Sequence, residues 1–139
     1  MIYILYIFLL AAFSISTYGQ TANADILSSR LHVISVNEGL PQQAVTSIVQ
    51  DKNGFVWMGT YDGLCKYDGT NYKNYYHINN DTTSLSNNRI LAILEDSKGN
   101  LIVGTEGTSC VNFYNKDTDN FHVPTDIKWK NCRSLIEDN

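Results

Sequence analysis

Three observations on the sequence predict an all-β fold of repeated four-stranded antiparallel units. A block from Asp51 to Thr60 reads as a tight turn feeding a buried strand, and it recurs from Asp96 to Thr105, 45 positions later. Within each repeat, short runs of strand formers are separated by Gly, Asp and Asn clusters at turn spacing. Phe55, Val56, Trp57 and Met58 are apolar on successive residues, which a strand covered on both faces requires. Four-stranded units at a period of about 45 residues point to a β-propeller, whose blades pack face to face. The expected fold is therefore a partial β-propeller after an N-terminal signal peptide: two four-stranded antiparallel blades plus the start of a third.

Residues 1–19 read as the signal peptide. Met1 to Tyr18 carries no charged side chain. Its apolar core, Ile2 to Phe13, is short for the ~30 Å of a bilayer, and Ser14, Ser16, Thr17 and Gly19 resemble a cleavage region. No Lys or Arg precedes the apolar core, so an uncleaved anchor is the alternative. Both readings place the rest of the chain outside the cytoplasm.

The leader is uncharged, so the formal net charge of −4 belongs to the remainder. A mildly acidic chain without a Lys/Arg cluster excludes nucleic acid and anionic membrane surfaces as expected partners. Cys65, Cys110 and Cys132 make an odd count. An exported disulfide framework calls for an even number at close spacing, so the three are read as small buried apolar residues. Cys65 and Cys110 are assigned to corresponding strands of the two repeats. No CxxC or Cys/His cluster suggests a metal, and no cofactor is expected.

The first blade with its lead-in strand is placed at residues 30–78. Leu31, Val33 and Val36 alternate with His32 and Ser35 as the lead-in, and Asn37 to Pro41 forms a turn. The four strands are then Val45 to Gln50, Phe55 to Thr60, Leu64 to Tyr67 and Tyr72 to His77. Asp51 opens a type I turn that Gly54 closes, and Asp68 with Gly69 marks a hairpin. Ile78 to Ser84 is a polar connector. The second blade, at residues 85–124, has strands Ile90 to Glu95, Leu101 to Thr105, Cys110 to Tyr114 and Phe121 to Val123, with two extra residues between its second and third strands. Cys132 to Asp138 matches Ile90 to Asp96, so residues 131–139 are read as the truncated start of a third blade, with the chain stopping inside a turn.

At these residues the chain resembles the two-component regulator propeller repeat family. The first repeat carries the resemblance through Val45, Ser47, Ile48, Gln50, Asp51, Gly54, Val56, Trp57, Gly59, Thr60, Gly63, Leu64, Tyr67 and Asp68. The second carries it through Ile90, Ile93, Glu95, Asp96, Gly99, Leu101, Gly104 and Thr105, with Ile102 where the first has Trp57. The resemblance implies the N-terminal periplasmic sensor region of a hybrid two-component histidine kinase, of the kind found in Bacteroidetes-like bacteria. It further implies an oligosaccharide ligand, the remaining blades of a longer chain as partners, a homodimer in the full-length form, and an inner-membrane anchor. Any kinase activity would lie in missing C-terminal domains. None of His32, His77 or His122 sits in a phospho-acceptor helix pattern, and no Gly-rich ATP lid occurs.

Asp51, Gly54, Trp57, Gly59 and Thr60, with Asp96, Gly99, Gly104 and Thr105, are read as the structural repeat motif. Turn capping accounts for Asp51 and Asp96, and core packing for Trp57. Tyr72, Tyr75 and Tyr76 are expected to pack an outer strand against the next blade. Tyr61, Asp62 and Glu106 follow the Gly-Thr step at strand ends, where propeller loops supply binding groups, and are the ligand-binding candidates. A scaffold that binds proteins or glycans without kinase output is the competing function. A glycan-cleaving enzyme ranks last, because the two repeats show no matched acid pair.

Overall fold

A computed structural model describes residues 33–138; the leader and the first part of the lead-in stretch lie outside the described residues. Two four-stranded antiparallel sheets follow one another along the chain, each in simple meander order. The first sheet consists of β1 (Val45–Gln50), β2 (Val56–Thr60), β3 (Gly63–Tyr67) and β4 (Tyr72–Tyr75). The second consists of β5 (Ile90–Glu95), β6 (Leu101–Thr105), β7 (Val111–Asn115) and β8 (Asn120–His122). No helix occurs among the described residues.

The repeated turn is built twice from the same parts. The Asp51 carboxylate accepts the Asn53 and Phe55 amides at 2.9 and 3.1 Å, and the Gly54 amide donates to the Asp51 carbonyl at 2.9 Å. In the second sheet Asp96 accepts the Lys98 and Asn100 amides at 3.0 and 2.7 Å, while Gly99 donates to its carbonyl. Gly54 and Gly99 adopt φ values of 88° and 84°, which a residue without Cβ takes at no steric cost.

Successive apolar residues on β2 serve two cores. Trp57 joins Leu64, Tyr75, Leu85, Ile90, Ile93, Leu101, Val103 and Phe121 in the cluster between the two sheets. Met58 points the other way, into a cluster with Leu40 and Cys65. Gly59 permits the close approach of the blades, because a Cβ there would lie 2.6 Å from Cγ2 of Ile90. Gly104 holds the equivalent place, and a Cβ on it would meet the Cys132 carbonyl oxygen at 2.6 Å.

The structure departs from the expected elements at three places. Residues 33–36 form no strand; the chain instead turns, with Glu38, Gly39 and Leu40 amides all converging on the Ser35 carbonyl. Among the described residues of this stretch, Val33 and Val36 have no sheet partner and are exposed, and Leu31 lies outside the described residues. The fourth strand stops at Tyr75 rather than His77, since the His77 amide turns away to the Asn88 side chain at 2.6 Å. Cys110, expected on the strand corresponding to that of Cys65, lies one residue before that strand, β7. Thr105 pairs with Cys110 as Thr60 pairs with Gly63, so Cys110 occupies the position of Gly63 and Asn112 that of Cys65.

The connector is firmly attached. His77 Nδ1 lies 2.7 Å from the Leu85 carbonyl, and the Phe121 amide donates to the Thr83 carbonyl at 2.9 Å. That last bond covers part of the β8 edge, which would otherwise present free backbone groups.

Candidate functional site

Loops at one end of the two sheets build a cleft of about 390 Å³ from both blades. Tyr61, Arg89, Glu106 and Arg133 line it, with Thr46 and Leu91 from the first strands of the two sheets. Backbone bonds set its frame. The Gly63 amide donates to the Asn88 carbonyl at 2.8 Å, and the Glu106 amide donates to the Arg89 carbonyl at 2.9 Å. Residues 88 and 89 are thereby held between the β2–β3 turn of the first blade and the β6–β7 loop of the second.

Arg89 is the centre of this cleft. Its guanidinium donates to Glu106 Oε2 at 3.0 Å and lies 4.8 Å from the Tyr61 ring centroid. An arginine fixed by a carboxylate and an aromatic face is a pre-oriented donor, and the planar fork suits hydroxyl or anionic oxygen acceptors. Tyr61 remains 47% exposed, so part of its surface is open to a partner. Arg133 adds a second cation to the wall, and among the described residues it forms no ion pair. With two cations and one anion, the lining favours a polar or anionic ligand.

Of the three candidates read from the sequence, the fold brings together Tyr61 and Glu106, through Arg89. Asp62 faces elsewhere: its carboxylate accepts from Asn88 Nδ2 at 3.4 Å, and it does not line the cleft. Arg89 and Arg133 were missed. The available signal was position, since each adjoins the first residue of a strand-one segment, next to Ile90 and Cys132.

A larger cleft of about 640 Å³ lies along the connector and the β8 edge. His77, Thr83, Ser86, Asn120 and His122 are among its walls, and none of the candidate residues reaches it. Among the described residues no group of three or more His, Cys, Asp or Glu side chains could hold a metal.

A second cross-blade constellation is used for cohesion. Asp119 accepts the Tyr75 hydroxyl at 2.6 Å and is also bonded by the Tyr114 hydroxyl and Lys73 Nζ. Burial pushes the Asp119 carboxyl up, but the Lys73, Tyr114 and Tyr75 donors outweigh it and hold the carboxyl at about 2. Burial, reinforced by Asp119, pushes the Tyr114 hydroxyl up to about 12 and the Tyr75 hydroxyl up as well. The rings pack with Trp57 and Phe121, at centroid distances of 4.8 Å for Trp57–Tyr114 and 5.4 Å for Tyr75–Phe121. Tyr75 thus faces the next blade. Tyr72 stacks on Tyr67 at 4.5 Å, and Tyr76 is exposed.

The two halves of this geometry coincide with a known sequence family. The family described as two component regulator propeller matches residues 39–62 and 84–107. Both segments are two-component regulator propeller repeats. Over 49 residues the chain is 49% identical to Histidine kinase P4 of Formosa agariphila, a stretch covering 35% of this chain and 4% of that protein. Among solved structures, the regulator propeller repeats align with an extracellular domain from B. thetaiotaomicron described as belonging to a hybrid two component system, with a TM-score of 0.59 and 30% identity. A second extracellular domain from that organism, described as that of a one component system, aligns with a TM-score of 0.54 and 30% identity. Each alignment covers 66% of this chain and 13% of the other. The chain therefore spans a small part of the length of each of these proteins.

Proposed function

We propose that this chain is part of the exported ligand-sensing propeller of a two-component signalling protein, with the Tyr61–Arg89–Glu106 cleft contributing to oligosaccharide recognition. The observation that carries this reading is the convergence of an aromatic ring, a guanidinium and a carboxylate from two blades on one open cleft. Sugars are bound by that combination, with the ring face taking the apolar side of a pyranose and the charged groups taking its hydroxyls. The extracellular setting of the similar solved domains supports export, with residues 1–19 as the signal peptide. In the same reading, residues 30–78 and 85–124 are blades, residues 131–139 begin a third, and the remaining blades, a homodimer and an inner-membrane anchor complete the sensor.

Ligand binding alters a signalling equilibrium only through different affinities for its two states. The cleft is built from both blades, so a ligand seated there can distinguish their relative positions. Isothermal titration calorimetry of the chain against a panel of neutral and acidic oligosaccharides tests the proposal. Binding that is abolished by Arg89→Ala supports it. Saccharide binding that is unchanged in that variant places recognition elsewhere, and binding of proteins but no saccharide favours the scaffold reading.

A further inference from the structure

The joint between the first and second blades and the joint beyond the second blade are made from equivalent positions. Ile90 packs over Gly59 at the first joint, and Cys132 packs over Gly104 at the second. The Lys52 amide donates to Glu95 at 2.9 Å, and the Ser97 amide donates to Glu137 at 2.8 Å. Gly63 bonds to Thr60 at the first joint as Cys110 bonds to Thr105 at the second, through hydroxyl-to-carbonyl contacts of 2.8 and 3.4 Å. Two positions therefore change together between the joints: Ile90 becomes Cys132, and Gly63 becomes Cys110.

The two replacements meet through Thr105. The Cys132 amide donates to the Thr105 carbonyl at 3.0 Å, and the Thr105 amide donates to the Cys110 carbonyl at 2.8 Å. The Cys132 thiol sits over Gly104, its Sγ 2.9 Å from where a Cβ would stand there, and the neighbouring Cys110 thiol adds to the burial that pushes the Cys132 thiol up. Cys110 is buried and Cys132 half-buried, so one of the pair is open to a reagent. Cys65 lies apart, in the Leu40 and Met58 cluster.

We propose that Cys110 and Cys132 form a disulfide that staples the segment 130–138 to the second blade. The oxidant is a low-molecular-weight or protein disulfide of an exported compartment. Cys132, as thiolate, attacks one sulfur of that disulfide and releases the first thiolate. Cys110, as thiolate, then attacks the Cys132 sulfur of the mixed disulfide and releases the second. Two electrons and two protons pass to the oxidant, which leaves as two thiols. The proposal is independent of the ligand reading and requires only that the chain meet such an oxidant. It also accounts for the odd count, as one bonded pair and one buried thiol.

Treating the 139-residue chain with glutathione disulfide, alkylating the remaining thiols and mapping peptides by mass spectrometry tests the staple. The expected result is a Cys110–Cys132 crosslink with Cys65 alkylated, formed faster at higher pH and reversed by dithiothreitol. The crosslinked form should melt about 10 °C higher than the reduced form. The pairing preference should vanish in urea, and Cys132→Ser should leave Cys110 uncrosslinked in the folded chain. Three alkylated thiols after oxidation, a crosslink that uses Cys65, or crosslinks only between chains would overturn the proposal.

Discussion

Trp57 Nε1 donates to Asp51 Oδ2 at 2.8 Å inside the first blade, so the turn-opening carboxylate also anchors the largest side chain of the core. The second repeat reaches the same end by other means. Ile102 replaces the indole, and Asn100, at the place of Phe55, supplies its side-chain amide to Asp96 Oδ2 at 2.7 Å. Trp57→Phe should cost about 1–3 kcal/mol, because it leaves one buried carboxylate oxygen without its donor. Asn100→Ala should cost less, since water reaches Asp96. Urea denaturation of the two variants measures the difference, and equal losses would contradict this assignment.

The Asp119 cluster makes stability depend on pH at both extremes. The Asp119 carboxyl is held at about 2 in the fold, below its ordinary 3.8. Its contribution is present above pH 4 and lost as pH falls toward 2. The carboxylate is 37% exposed, so solvent screening keeps the loss small, of order 1 kcal/mol. Tyr114 is raised to about 12 and Tyr75 is raised as well, so their contribution is complete below pH 10 and declines as pH rises above it, that of Tyr114 being lost through about 12. Thermal melts across pH should show both declines, and Asp119→Asn should flatten the acid limb.

Gly104 and Gly59 should respond differently to alanine. At Gly104 the new methyl meets backbone, the Cys132 carbonyl, which cannot yield without displacing the segment 130–138. Limited proteolysis should cut that segment sooner in Gly104→Ala. At Gly59 the methyl meets the Ile90 side chain inside the core, and overpacking should cost about 1–3 kcal/mol of global stability.

Arg89→Ala should leave the melting temperature nearly unchanged, within about 0.5 kcal/mol in stability. The Arg89–Glu106 pair is solvent-exposed, at 48% and 40%, and exposed pairs contribute little. A large destabilisation would assign Arg89 to the scaffold instead of the cleft.

Most of the architecture was legible because it rests on local chemistry stated twice. Asp, Gly and the apolar run after them fix a turn and a strand without reference to anything distant, and all eight strands lie within a residue or two of their predicted places. What escaped depends on neighbours. Alternation reaching Val33 and Val36 looks like a strand until one asks what those residues pair with. The Cys110 position could be read only once the Thr105 pairing fixed the register. Arg89 entered the site because Glu106 and Tyr61, from different blades, close on it. Nothing in the one-dimensional spacing of these three residues states that they meet.

The paired contacts of Lys52 with Glu95 and of Ser97 with Glu137 have a further consequence. In both, a glutamate from the segment that follows grips the turn of the blade before it, so the two joints repeat one contact. The joint is written as a rule between neighbours. Duplicating one unit, with its turn and its glutamate, would extend the row of sheets without any redesign of the units already in place.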